Sequence, residues 1–500
     1  MLTVSTEISH RIGGAESSGS SGRRANVWNP ATGEVAAQVV LGDRTDVDRA
    51  VEAARTALAA WRETSTAHRA RIMFAFRALV DKYRGELAAI VSREHGKVLS
   101  DAAGEVSRGL EVVDFACGIP HLSKGEYSDQ VSSDVDSSSF RQPLGVCAGI
   151  TPFNFPVMVP MWMHPLAIAC GNTFLLKPSE RDPSASNFVA ELYAQAGLPD
   201  GVFNVIHGDK VVVDALLDHA GVDAISFVGS TPIAKYVYDR ATRAGKRAQA
   251  LGGAKNHAVI LPDADLDFAA DQLIAAGYGS AGQRCMAISA VVAVGSAADP
   301  LVERLAHRAR HLTVGPGVDA ASDVGPVITA EARDRITGYI TRGERAGARL
   351  LVDGRNCEVD GHPHGFFVGP TLFDDVTTGM EIYTDEIFGP VLVVLRVQSL
   401  AEAVELVNGN AYANGTAVST SSGNAARTFS RHVSVGMIGV NVAIPVPMAF
   451  YSFGGWKASL FGDHHVHGSE GIRFYTRGKV VTTRWSTPQD TTTLHFPTNT

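Results

Sequence analysis

Apolar residues recur at helical spacing over 47–62 and 69–93, and again at Val106, Leu110 and Val113. The pattern then changes. Short apolar runs at 146–150, 173–176, 203–206 and 224–228 read as strands, and helical patterns at 156–169, 183–196 and 232–244 separate most of them. Strand–helix–strand alternation builds a parallel sheet, which binds ligands beyond the carboxyl ends of its strands. A second such pattern follows Asn256, with a helix at 266–276 and strands at 258–261, 290–294 and 391–395. The expected fold is α/β, in two domains with a cleft between them.

The ends of the chain read differently. Residues 13–24 are Gly, Ser and Arg with little else, so 1–24 is expected to be a flexible extension. The Thr- and Pro-rich segment 486–500 is expected to be a loosely held polar tail.

Composition narrows the class. The chain has 500 residues, 45% hydrophobic and 19% charged, enough for more than one well-filled domain. A net charge of −8 gives no electrostatic footprint for nucleic acid. The longest apolar stretch, 157–171, is too short to span a membrane and is broken by Pro160, His164 and Pro165. No secretory signal pattern is visible, so a reducing cytoplasm is expected. Five cysteines without close pairing argue against a disulfide framework. Cys117, Cys147, Cys170 and Cys357 carry no reactive signature, and Cys147 and Cys170 sit among apolar neighbours.

Cys285 differs. It lies in Gly282-Gln283-Arg284-Cys285-Met286-Ala287, on a Gly-opened loop beside a permanent cation. A neighbouring cation lowers a thiol pKa, and a thiolate so placed can attack a carbonyl and form a covalent intermediate. Just upstream, Gly277 to Gly282 fits G-x-G-x-x-G, but a helical pattern precedes it where the dinucleotide fingerprint needs a strand. It is rejected as a phosphate cradle.

Two segments suit a dinucleotide better. In Phe227-Val228-Gly229-Ser230-Thr231-Pro232 a strand runs into capping oxygens and an early helical Pro, leaving helix N–H groups free for a pyrophosphate. An ordinary strand-to-helix turn has the same look. Lys177-Pro178-Ser179-Glu180 follows a strand, and its two charges could hold an adenosine ribose, the carboxylate favouring NAD over NADP. A solvated charge pair is the alternative.

These segments occur in order with Thr151-Pro152-Phe153-Asn154-Phe155-Pro156, Glu386-Ile387-Phe388-Gly389-Pro390 and Phe453-Gly454-Gly455-Trp456-Lys457. Together they resemble the aldehyde dehydrogenase superfamily from about Trp28 to Lys479. The run Phe153 to Met163, then Ala167 to Thr173, Ala254-Lys255-Asn256-His257 and Arg284-Cys285-Met286 are most similar to its coenzyme A-acylating methylmalonate-semialdehyde branch. The resemblance implies a Rossmann-like cofactor domain (25–131 and 144–255), a catalytic domain (256–460) and a small β arm (132–143 and 472–485) for homo-oligomerisation as dimer or tetramer. It implies Cys285 as nucleophile and Asn154 as oxyanion donor, such a donor being worth roughly 3 kcal/mol. It also implies an NAD site lined by Thr151, Phe153, Lys177, Glu180, Arg181, Ser230 and Gly252, with Glu386 on the nicotinamide ribose. The implied partners are a small-molecule aldehyde and coenzyme A.

Hydrolytic members carry a Glu before Leu-Gly-Gly to activate water. Here the candidates are Ala250 or, aligned on Lys255, Leu251. Neither accepts a proton, which favours a thiol acceptor over water. Arg108 and Arg284 would clamp a substrate carboxylate in the branch that the chain resembles. On residues alone, Arg108 reads first as a helix-surface partner of Glu105 or Glu111, and Arg284 could act only on the thiol. A hydrolytic aldehyde dehydrogenase and a non-catalytic binding protein are the competing readings. His464 and His467 are spaced for one helical face, but their segment leads into the arm and no metal is expected.

Overall fold

The computed structural model describes residues 7–486. Five parallel strands form the centre of one sheet: Val146–Ile150, Thr173–Lys177, Phe203–Val205, Ala224–Val228 and Arg247–Leu251. Numbered along the chain, their spatial order is 3-2-1-4-5. The order reverses between Val146–Ile150 and Ala224–Val228, so a crevice opens beyond the carboxyl ends of those two strands, where such sheets bind dinucleotides. Both strands are fully buried and, Ser226 apart, apolar, as expected when helices cover both faces.

Three additions depart from the sequence expectation. His10–Ile12 and Ala15–Ser17 pair antiparallel and extend this sheet beyond Phe203–Val205. Arg23–Asn29 pairs with Glu34–Leu41, which also pairs with Glu7–Ile8. Much of the described part of that segment, 7–24, is therefore strand, not a flexible extension. Long-range polar contacts hold it: Asp46 accepts the Ser20 N–H, and Arg23 bridges Asp209 at 2.6 Å. Leu460–Phe461, from beyond the catalytic half, returns to pair with Arg247–Leu251.

The second sheet has seven strands in the order Arg349–Val352, Thr371–Asp374, Val391–Val397, Ile288–Val294, Asn256–Ile260, Gly415–Ser419, Met437–Val440. All pairings but the first are parallel. The expected 69–93 helix is two, Thr66–Lys82 and Arg84–His95, broken at Tyr83, whose ring packs edge-on against Phe188.

A third, antiparallel sheet joins Tyr127–Ser132, Val135–Pro143 and Thr476–Arg484. It holds most of the expected arm, but 127–132 contributes a strand, and residues 472–474 end the helix Gly468–Phe474. Tyr127, Val480 and Trp485 lie exposed on it. The polar tail beyond Ser486 lies outside the described residues. No helix among them is long and apolar enough to cross a membrane.

Candidate active site

The helix Leu266–Tyr278 closes, and the turn Gly279–Gly282 swings the chain back toward Ile288–Val294. Ser280, Ala281 and Gly282 all have positive φ (51°, 52° and 70°). A Cβ on Gly282 would stand 2.1 Å from the Gly389 carbonyl oxygen, so glycine alone lets the two loops cross. This G-x-G-x-x-G ends a helix, where the dinucleotide fingerprint follows a strand. Two amides then fix Cys285: its carbonyl accepts the side-chain N–H of Asn256 at 2.8 Å and of Asn414 at 3.3 Å.

Cys285 stands between two cavities. One, of about 320 Å³, is walled by Phe155, Met158, Trp162, Ile444, Val446 and Phe453, with Asp101, Glu105, Arg108 and Arg284 as its charged members. The other is lined by Asn256, Glu386 and Phe388. The catalytic half brings the amino ends of its strands to this point, and the cofactor half brings the carboxyl ends of its own.

The thiol is not activated as the sequence suggested. Burial, and then the Glu386 carboxylate, push the Cys285 pKa up to about 12. Arg284 does little to offset this because its guanidinium is neutralised by Asp101, with Nη2 donating at 2.6 Å. Glu386 is itself buried, which raises its pKa to about 7 against the pull of Lys255 and the Ala254 N–H, 2.9 Å away.

Asn154 follows the first strand of the cofactor sheet and is buried. Its loop is gripped by a pair that sequence reading missed. Lys97 Nζ donates to the Asn154 carbonyl at 2.6 Å and to Glu105 at 2.7 Å, and lies 4.3 Å from the Phe155 ring centre. Glu105 in turn accepts the N–H groups of Val157 and Met158. Both side chains are fully buried.

The residues of the expected NAD site surround the crevice where the strand order reverses. Thr151 follows one strand and Gly229-Ser230 the other. The buried Thr151 hydroxyl has no partner, and Ser230 begins the helix Thr231–Arg243 without a side-chain cap. Lys177 pairs with Glu180 at 3.0 Å. Burial would raise the Glu180 pKa, but Lys177 and hydrogen bonds hold it below the usual carboxylate value, so it stays ionised. The Arg181 guanidinium lies 5.5 Å from the Phe153 ring, which meets Phe388 edge-on. Gly252 is tightly overlaid: a Cβ there would come 2.7 Å from the Ala458 carbonyl. Beside it, a Cβ on Gly253 would stand 2.2 Å from Glu386 Oε2. Unsatisfied donors and an ionised carboxylate fit a dinucleotide. Arg335, which pulls on the Glu386 titration, was also missed; only its tertiary position reveals it.

Ala250 and Leu251 are buried in the strand Arg247–Leu251, and neither brings a proton acceptor to the site. Arg108 does pair with Glu111, at 3.0 Å, as the bland reading had it, yet it also lines the Cys285 cavity. The histidine segment is not helical: the helix starts at Gly468, after His467. His464 bonds Glu470, and the His467 ring packs against Trp162. Among the described residues no three His, Cys, Asp or Glu side chains converge as a metal-binding set.

The chain is similar along nearly its whole length to several known proteins. It is 55% identical to the malonate-semialdehyde dehydrogenase of Pseudomonas aeruginosa, over 95% of this chain and 96% of that protein. It is 49% identical to the same-named protein of Halalkalibacterium halodurans, over 97% and 99%. The crystal structure of methylmalonate-semialdehyde dehydrogenase from Oceanimonas doudoroffii superposes with a TM-score of 0.95 at 52% identity, covering 97% of this chain and 99% of that one. An NAD complex from Sinorhizobium meliloti, assigned to the same activity, gives 0.96 at 52%, covering 98% and 100%. The sequence profile of the aldehyde dehydrogenase family matches residues 17–481, and the chain belongs to that family.

Proposed function

We propose that the protein oxidises malonate or methylmalonate semialdehyde with NAD and delivers the product to coenzyme A as acetyl- or propionyl-CoA, releasing carbon dioxide. One observation carries this reading. The nucleophile shares its cavity with two arginines, while the sequence offers only Ala250 or Leu251 in place of the water-activating Glu of hydrolytic members. The first feature selects an aldehyde bearing a carboxylate. The second disfavours water as acyl acceptor. The names of the relatives agree.

Cys285 Sγ adds to the aldehyde carbon, and the developing oxyanion is held by the Asn154 amide and the Cys285 N–H. Bound NAD supplies a hydride acceptor and a positively charged ring that offsets Glu386 beside the thiol. Arg108 and Arg284 hold the substrate carboxylate during oxidation. The thioester then has a carboxylate β to its carbonyl. Loss of carbon dioxide leaves an enolate on the same oxyanion donors; protonation and attack by the coenzyme A thiol release the acyl group and regenerate Cys285. Aldehyde, NAD and coenzyme A thus give acyl-CoA, reduced cofactor and carbon dioxide in balance. The exposed apolar residues of the third sheet support assembly into a homo-oligomer through that arm.

The test is a product assay with malonate semialdehyde, NAD and coenzyme A, each omitted in turn. Acetyl-CoA is expected only when all three are present, and not with Cys285→Ala. Free acid formed at an undiminished rate without coenzyme A would replace this reading with the hydrolytic one.

A further inference from the structure

Arg284 is the clamp residue nearest the nucleophile in sequence, and how it is held follows from a residue on another element. Asp101 lies in the first turn of the helix Leu99–Cys117, where the helix dipole favours a carboxylate. One of its oxygens accepts Arg284 Nη2 at 2.6 Å. The other accepts the backbone N–H of Ser280 at 2.8 Å and its hydroxyl at 3.1 Å. The carboxylate therefore pins both the guanidinium and the left-handed turn that carries Cys285. Arg284 Nη1 donates to the Ala275 carbonyl at 3.3 Å. A Cβ on Gly279 would come within 2.6 Å of Nη1, Cζ and Nη2 of Arg284, so glycine leaves the space the group occupies.

This ion pair is also a wall. The cavity of about 320 Å³ beside Cys285 and a second of about 670 Å³, lined by His307, Arg308 and His311, share Ser100, Asp101 and Arg284. A guanidinium freed from Asp101 has room on the second side, away from the thiol. With Asp101 in place, two of the five N–H donors are spent on the protein and the others remain for a ligand. Paired, the site is close to neutral, so it binds a carboxylate through fixed two-pronged geometry more than through net charge.

We propose that Asp101 is the positioning residue of the carboxylate clamp, holding Arg284 toward the Cys285 cavity and so setting the preference for aldehydes that carry a carboxylate. The proposal rests on the acylating, carboxylate-binding function above. The experiment compares kcat and KM for malonate semialdehyde and for propanal in the wild type, Asp101→Ala, Asp101→Asn and Arg284→Gln, with NAD binding followed by fluorescence as a check on folding. For Asp101→Ala the ratio of kcat/KM for malonate semialdehyde to that for propanal is expected to fall about tenfold or more, mostly through KM, as for loss of a charged hydrogen bond. Asp101→Asn, which keeps an acceptor for Arg284 or Ser280, should recover much of the ratio. If both Asp101 variants lose activity equally toward the two aldehydes while Arg284→Gln discriminates between them, the proposal is overturned and the functional reading stands. If neither the wild type nor Arg284→Gln distinguishes the aldehydes, the functional reading falls and the proposal with it.

Discussion

Alkylation of Cys285 in the cofactor-free protein measures the electrostatics of the site without turnover. The thiol is pushed from an ordinary 9.0 to about 12. Three pKa units are about 4 kcal/mol, leaving roughly a thousandfold less thiolate than an ordinary cysteine near pH 8. A more basic thiolate is a better nucleophile, with a Brønsted slope of about 0.4–0.5, so the net rate with iodoacetamide should be roughly thirty- to sixtyfold slower. The pH profile carries more information. Glu386, with a pKa of about 7, adds its negative charge beside the thiol as it ionises. The logarithm of the rate should therefore rise with unit slope, flatten around pH 7 as the thiol pKa climbs, and resume unit slope above pH 8. Glu386→Gln should alkylate faster and lose the flattening, each unit of pKa removed giving about a three- to fourfold gain. Peptide mass spectrometry, with Cys285→Ala as background, separates this thiol from Cys117, Cys147, Cys170 and Cys357. A wild-type rate that levels off between pH 8 and pH 10, or a slower Glu386→Gln variant, would refute the reasoning.

Arg108→Leu should raise KM for malonate semialdehyde far more than for propanal, and equal effects in steady-state assays would remove Arg108 from the clamp. Lys97→Met leaves Glu105 as an unpaired buried charge and should cost about 3–5 kcal/mol. The double change Lys97→Met with Glu105→Leu should regain stability in chemical denaturation yet still slow single-turnover acylation; recovery of both would reduce the pair to packing. His10 is buried with a pKa lowered to about 4, chiefly by desolvation. Between pH 6.5 and about 4 the unfolded strand takes up a proton that the native one refuses, so stability falls as pH drops through that window, by up to about 3 kcal/mol. Hydrogen exchange of the strand His10–Ile12 should show this loss in the wild type, and His10→Asn should be flatter; identical pH dependence in the two would contradict it.

The elements that build the cleft were legible because apolar periodicity is a local property. The runs at 146–150 and 224–228 became strands with those bounds. Their spatial order was not legible, since pairing Val146–Ile150 with Ala224–Val228 depends on packing and not on either run. The 13–24 segment misled for a related reason. Its Gly and Ser content looks like a linker, but its strands form because distant groups, Asp46 and Asp209 among them, satisfy its polar atoms. Cys285, Glu386 and Gly252 were found by motif. The state of the thiol was misjudged because adjacency in sequence showed the cation and hid the burial and the Glu386 carboxylate that outweigh it, and the Asp101 that pairs with it.

Fixing by residues distant in sequence is general to the site. Arg284 meets Asp101 across 183 residues, Glu386 meets the Ala254 N–H across 132, and Lys97 meets the Asn154 carbonyl across 57. Each bond fixes one group implied in the chemistry, and the first leaves the Arg284 charge nearly neutral until a ligand arrives. A thiol near pKa 12 reacts more slowly with electrophiles than an ordinary cysteine, and a guanidinium already paired attracts stray anions less strongly than a free one. Such a site is protected at rest. Its reactivity has to come with the cofactor's positive ring and the substrate's own carboxylate, and so a single-residue reading of Cys285 could name the nucleophile but could not state when it becomes one.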